Sequence, residues 1–343
     1  MNSVWKSDRF WQVWGIPLLV STGIMAGLYG FFPYAVGYGD KPASVFDQLS
    51  SFWRMMDEWD HGMLVPLISA GLIYWKWEEI SKVPIEGHPV GLAVMAVALL
   101  VYWVGYMIDI TFVGFASAQL MVGGLILWFL GWKFFLAILF PYCFLAFTWP
   151  YYFAESAISL PLRHLMSTTA YHLLNLLGIS TLKVGTALIS APDTLGNLQA
   201  GDRFRLDVAD PCSGIRSLFA LVMLSSLYGY VAVEKGWIRL AAFLAAFPLA
   251  VLGNLARVLM LTFGTLLLGT EVAIGTDADP SFFHNLSGYL VFLVAFAGLA
   301  LWVWLLDGGA RIVIHRIRGT WDRLSQPPPA VPRTHTRSHQ DPY

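Results

Sequence analysis

Residues 89–107 read PVGLAVMAVALLVYWVGYM and carry no charge. An α-helix rises about 1.5 Å per residue, so roughly 20 such residues cross the ~30 Å hydrocarbon layer of a bilayer. A helix that is apolar all round needs an apolar surrounding on every side. Working outward from this stretch, similar ones appear at about 12–32, 61–76, 112–130, 133–150, 214–233, 240–268 and 284–306. Gly131-Trp132 alone divides two of them, and the short one at 61–76 opens on Asp60-His61-Gly62. The first is too long for a signal peptide and is followed by no small-residue cleavage site, so it reads as a signal anchor.

Composition agrees with this reading. The 343 residues are 57% hydrophobic and 13% charged, with a mean hydropathy of +0.61, whereas soluble domains carry about 25% charged residues. The expected fold class is therefore an all-α polytopic membrane protein with about eight transmembrane helices. A net charge of -1 gives no basic field for nucleic acid. Two cysteines cannot make a disulfide framework, and no CxxC pair suggests zinc. No phosphate loop, HExxH or GxSxG is present, so neither cofactor nor metal is expected.

Lys/Arg bias sets orientation. Lys6 and Arg9 put the N-terminus in the cytoplasm. Asp40, Asp47, Asp57, Glu58 and Asp60 outweigh Lys41 and Arg54 in the next loop, which suits the outside. Lys76 and Lys82 then fall inside, Asp109 outside, Lys133 inside, residues 151–212 outside, and Glu234, Lys235 and Arg239 inside. Arg311, Arg316, Arg318 and Arg323 keep the C-terminal tail inside. Eight spans with both termini cytoplasmic satisfy nearly every loop; seven would put one basic end on the wrong side.

The layout expected is a polytopic domain over residues 1–310 with an extracytoplasmic insertion at about 151–212. A basic, Pro-rich, disordered cytoplasmic tail follows over 311–343. Within the insertion, Ser156 to Leu177 holds Pro161, Arg163, His164 and His172 among leucines, as an amphipathic helix lying in the interface would. After it, Thr181-Leu-Lys-Val184 and Phe204-Arg-Leu-Asp-Val208 are short alternating stretches, punctuated by Pro192-Asp193 and Gly196-Asn197. Two or more short strands are expected there.

Ionisable residues inside spans are costly and point to function. Eighteen residues separate Arg216 from Glu234, and eighteen separate Arg239 from Arg257. Each interval is roughly 27 Å of helix, which brings both arginines to the outer edge of the hydrocarbon layer. Cys212 lies one turn beyond Arg216, while His284 opens the last span and His61 the second, both outside. Cys212, Arg216, Arg257 and His284 thus converge on one leaflet surface.

Cys212 stands in Asp210-Pro-Cys-Ser-Gly-Ile-Arg216, where a loop runs into a helix. Free N–H groups and the partial positive charge at a helix start lower a thiol pKa, and an arginine nearby adds to this. The same N–H groups suit an oxyanion. Arg216, four residues on, shares a face with Cys212, and Asn254 shares one with Arg257. His284 and His61 both titrate near neutrality when unperturbed, so either can serve as acid/base. Cys143 is mid-span and reads as packing. His164 and His172 are too few for a metal site.

The run Cys212-Ser213-Gly-Ile-Arg-Ser-Leu218, then Asn254-Leu-Ala-Arg257, then His284-Asn-Leu-Ser-Gly288, resembles the exosortase/archaeosortase family. Asp60-His61-Gly62-Met-Leu-Val-Pro-Leu-Ile-Ser69 looks like that family's early HG-containing span, and Pro161-Leu162-Arg163 also matches. The resemblance covers roughly residues 45–306. It implies a membrane-embedded cysteine protease or transpeptidase of the bacterial inner membrane, with its active site on the extracytoplasmic side. Its partners would be membrane lipids and exported proteins ending in a tripartite sorting signal: a PEP-like motif, a transmembrane helix and a basic cluster. By that resemblance Cys212 is the nucleophile and Arg257 and His284 complete the catalytic set, with Ser213, Arg216, Asn254 and His61 in support. The product would be a thioester acyl-enzyme, resolved by an acceptor. The alternative reading is a multi-spanning transporter whose outward-facing arginines bind an anionic substrate.

Overall fold

The structure is a computed structural model and describes residues 8–36, 41–55, 60–194, 196–207, 215–276 and 280–309. Along the chain, α1 (Asp8–Gly30) leads to α2 (Val45–Met55), a 3-10 turn at Asp60–Met63, α3 (Val65–Trp75) and the single turn α4 (Trp77–Ile80). Then come the hairpin of α5 (Val90–Met107) and α6 (Thr111–Phe129) and the broken segment α7 (Trp132–Ala137), α8 (Leu139–Phe144) and Leu145–Thr148. After these lie the long helix α9 (Tyr152–Leu176) and strands β1 (Thr181–Val184), β2 (Ala187–Ser190) and β3 (Arg205–Asp207). The chain closes with α10 (Ile215–Ala232), α11 (Gly236–Leu268), α12 (Thr270–Ala273) and α13 (Phe282–Trp304), which runs into a π turn at Leu305–Gly309.

Among the described residues, four helices are long and apolar enough to cross a membrane: Val90–Met107, Thr111–Phe129, Gly236–Leu268 and Phe282–Gly308. Shorter apolar helices lie at Gly15–Gly30, His61–Trp75, Leu139–Thr148 and Ser217–Ala232. Much of their apolar surface faces outward, for example Ile16, Leu19 and Ile24 on α1, Leu100 on α5 and Leu293 and Val294 on α13. In water such a surface would drive aggregation; against lipid it needs no cover.

Where helices meet, small residues let them approach. A Cβ added to Gly91 of α5 would sit 2.6 Å from the Gly124 carbonyl oxygen of α6, and one on Gly124 would sit 3.1 Å from the Gly91 oxygen. On α11 a buried stripe runs Ile238, Ala242, Ala246, Ala250, Asn254 and Val258, one residue every four. This stripe belongs to two cores. Up to Ala250 it packs with Leu218, Leu221 and Val222 of α10 and with Ala295, Leu299 and Val303 of α13. From Val258 it packs with Met166, Ala170 and Leu174 of α9 and with Leu188, Phe204 and Leu206 around the sheet. The second core is a cap built over the end of the helix bundle. A third core joins α1, α2, α5 and α6 through Tyr29, Tyr34, Val45, Phe52, Ala98 and Phe115.

The structure departs from the sequence reading in four places and fills in a fifth. Residues 33–60, read as a loop, contain α2, whose aromatic Phe52 is buried. The span expected at 133–150 is broken, because Ile138 leaves the helical region (φ -106°, ψ 12°) and Pro141 follows within a turn. The helix expected from Ser156 starts at Tyr152. The two or more strands expected are three, with β2, which the reading did not name, pairing antiparallel with both neighbours in the order β1-β2-β3. Cys143, read as packing, is exposed on α8.

Candidate active site

Two of the expected residues touch. Arg257 on α11 and His284 on α13 meet with Nη2 and Nε2 3.0 Å apart. Both side chains are half-buried. A guanidinium has only donors, so His284 must accept at Nε2 and carry its proton on Nδ1. That Nδ1 is buried and finds no hydrogen-bond partner among the described residues. Its free direction is therefore a donor aimed at whatever comes next to the ring.

The local sequence holds this ring in place. Ser281 is the N-cap of α13, and its Oγ accepts the His284 backbone N–H at 3.0 Å. Ser287, fully buried, donates its hydroxyl to the His284 carbonyl at 2.7 Å. Gly288, one turn beyond His284 on the same face, stands beside the guanidinium. A Cβ there would lie 3.4 Å from both Cζ and Nη2 of Arg257. The sequence reading quotes Ser287 and Gly288 only within the His284–Gly288 run, with no role of their own, and does not single out Ser281. The signals were present: a serine three residues before His284 is an N-cap pattern, and a glycine at i+4 clears one face.

Asn254, one turn before Arg257 on α11, is buried at 3% exposure. It lines a small cavity with Leu162 and Met166 of α9, Leu218 of α10 and Ala250 and Val251. The first turns of α10 therefore abut the helix carrying Arg257. Tyr151 holds them from the other side. Its ring stacks on Phe219 at 6.1 Å and its hydroxyl donates to the Ala146 carbonyl at 2.7 Å. Burial pushes the Tyr151 phenol up to about 12, so it remains a protonated donor.

Other expected residues stand as follows. Cys212 and Ser213 lie outside the described residues, as does the Arg216 side chain; the Arg216 backbone is the second residue of α10. His61 sits in the 3-10 turn ahead of α3. The next residue, Gly62, is wedged against Trp53 and Thr148, whose indole-to-carbonyl hydrogen bond is 3.1 Å long. His164 and His172 both ride on α9, and no cluster of metal-binding side chains occurs among the described residues.

A bundle of apolar helices capped by a small α/β layer, with a polar pair at their seam, defines a polytopic membrane protein. The model of the transmembrane exosortase family matches residues 53–301, and the chain belongs to that family. No curated protein and no solved structure gives a match.

Proposed function

We propose that the chain is a membrane cysteine peptidase or transpeptidase that trims a C-terminal sorting signal from exported proteins. The observation carrying this reading is the 3.0 Å contact of Arg257 with His284 beside Asn254 and the start of α10. Helix α10 begins three residues after Cys212, so the thiol is covalently tied to the element that packs on the helix carrying Arg257. The remaining support is family membership, which brings a sorting role with protein substrates. Eight spans with both termini cytoplasmic, in a bacterial inner membrane with Cys212 facing outward, are part of the same proposal.

The steps follow from the donor logic of the pair. The Cys212 thiol gives its proton to His284 Nε2, which obliges Arg257 to leave that lone pair. The released guanidinium then donates to the oxyanion formed when the thiolate adds to the signal's carbonyl carbon. The imidazolium passes the proton to the amine of the leaving tail as the C–N bond breaks. This leaves a thioester, and Arg257 returns to Nε2. Arg257 leaves again as an acceptor nucleophile (water, an amine or a hydroxyl) loses its proton to the same nitrogen and attacks the thioester; the C–S bond breaks and the imidazolium returns the proton to the departing Cys212 thiolate.

The test is co-expression with a tagged exported protein bearing the motif, a transmembrane helix and a basic cluster. Wild type should shorten the substrate, and Cys212→Ala, Arg257→Ala and His284→Ala at matched membrane levels should leave it whole. The product's C-terminal mass distinguishes water from a larger acceptor. Trimming by Cys212→Ala at the wild-type rate would sink the covalent mechanism and reopen the transporter reading.

A further inference from the structure

At the end of the bundle opposite His284, α3, α7–α8, α10 and α11 enclose a cavity of about 590 Å³. Lys76, Arg239, Tyr230, Ser226, Phe140 and Phe243 are among its walls. Eighteen residues of α11, roughly 27 Å, separate Arg239 from Arg257, so this cavity is not the site described above.

Tyr230 is the hub of the cavity. Its ring stacks on Phe140 with centroids 3.9 Å apart and planes at 4°. Lys76 Nζ stands 4.7 Å from the ring centroid and Arg239 Cζ 5.7 Å from it. Two cations are thus gathered on one aromatic ring, and neither has a carboxylate partner among the described residues. Like charges brought together in a partly apolar setting repel, and an anion between them removes that cost. Arg239 also donates through Nε to the Val233 carbonyl at 2.7 Å, which leaves its terminal nitrogens for another acceptor.

The surroundings say which anion. Leu136, Leu139 and Leu240, three further wall residues, are 49%, 39% and 58% exposed, so the cavity opens onto an apolar outer surface. Trp75, Trp132 and Trp237, all exposed, stand on the same elements. Tryptophans gather at the headgroup level of membranes. A basic mouth between helices at that level, continuous with an apolar groove, matches a phosphodiester attached to acyl chains. We propose that this cavity binds the phosphate of an anionic phospholipid headgroup, held by Lys76 and Arg239, with the acyl chains lying along Leu136, Leu139 and Leu240. The site does not depend on the catalytic reading.

The test uses the purified full-length chain in mild detergent, titrated with phosphatidylglycerol, phosphatidylcholine or inorganic phosphate. Bound lipid is followed by native mass spectrometry. Phosphatidylglycerol should bind at least tenfold more tightly than phosphatidylcholine, and Lys76→Gln/Arg239→Gln should erase the difference. Lys133→Gln, whose side chain is already paired with Glu86 at 3.1 Å, should not change it. Because Arg239 also supports Val233, Lys76→Gln alone is the guard against misfolding; it should weaken phosphatidylglycerol several-fold while eluting as wild type. Equal binding of the two lipids, or full phosphatidylglycerol preference in the double variant, overturns the proposal. Competition by millimolar inorganic phosphate strong enough to displace the lipid fully would make the ligand a free anion and overturn the lipid assignment.

Discussion

Gly288 offers the sharpest test of the Arg257–His284 pair, because the atoms nearest to a Cβ there are those of the Arg257 guanidinium. A Cβ at this position lies 3.4 Å from Cζ and Nη2 of Arg257 and 3.6 Å from Nε, which is ordinary contact. Gly288→Ala should therefore leave the guanidinium where it is. Gly288→Val adds methyl groups on the guanidinium side, and a close-packed helix seam has little slack to absorb them. Arg257 must then leave Nε2. A hydrogen bond to a charged group contributes about 1.5–3 kcal/mol. In the transition state of the proposed chemistry the guanidinium serves the oxyanion rather than Nε2, so a displaced guanidinium that misses the oxyanion slows the chemistry about 10- to 150-fold. Initial rates of tail removal, taken by pulse–chase at equal membrane levels, should place Gly288→Ala within about threefold of wild type. Gly288→Val should fall to the level of Arg257→Ala, and the double variant should be no slower than either single one. Wild-type rates for Gly288→Val, or additive losses in the double variant, would show that the guanidinium's position at His284 does not matter.

Further outcomes are expected elsewhere. Ser281→Ala removes the N-cap of α13 and should cost about 1 kcal/mol, seen as faster amide exchange over residues 282–288 with tail removal slowed but not abolished. Phe204→Ala empties a 2%-exposed site in the cap core and should cost about 3–5 kcal/mol; limited proteolysis should then cut within 177–207 while the membrane-embedded fragments persist. Gly124→Leu forces α5 and α6 apart and should lower the thermal midpoint and membrane level, whereas Gly27→Leu, with nothing within 4 Å of its Cβ, should do neither. Asn254→Leu keeps the buried stripe of α11 apolar and should preserve the membrane level while reducing tail removal; unchanged activity would remove Asn254 from the site.

The parts of the molecule that were legible in the sequence are those where lipid is the surrounding. Helices α5 and α13 are apolar on every face, and their bounds follow from length and hydropathy alone. The end of α11 shows where that logic stops. Its 33 residues make about 50 Å of helix, well beyond the hydrocarbon thickness. Hydropathy cannot tell that Val258 and Leu261 are apolar because a protein cap covers them. The break between α7 and α8 was hidden for a similar reason, since residues 134–144, FFLAILFPYCF, are apolar throughout and only Pro141 marks it. Strand β2 was missed because four residues, ALIS, carry too little periodicity. In the site, helical spacing put Asn254 and Arg257 on one face. No local pattern names a partner 27 residues away, and the Arg257–His284 contact needed the packing of α11 on α13.

Helix α11 belongs to both cores, and this bears on how the site works. Asn254 is the last stripe residue before the cap and Val258 the first within it, so Arg257 stands at the seam. A side chain in the middle of either core would be fixed by its neighbours. At the seam it meets Gly288 and His284 of the membrane bundle. Departure of Arg257 from Nε2 is the step the proposed chemistry requires, and the seam is where that motion costs least. A substrate segment entering between cap and bundle would act on the same degree of freedom, coupling arrival of the signal to release of the arginine. Cap variants such as Phe204→Ala should then alter tail removal even where Arg257, His284 and Cys212 are untouched.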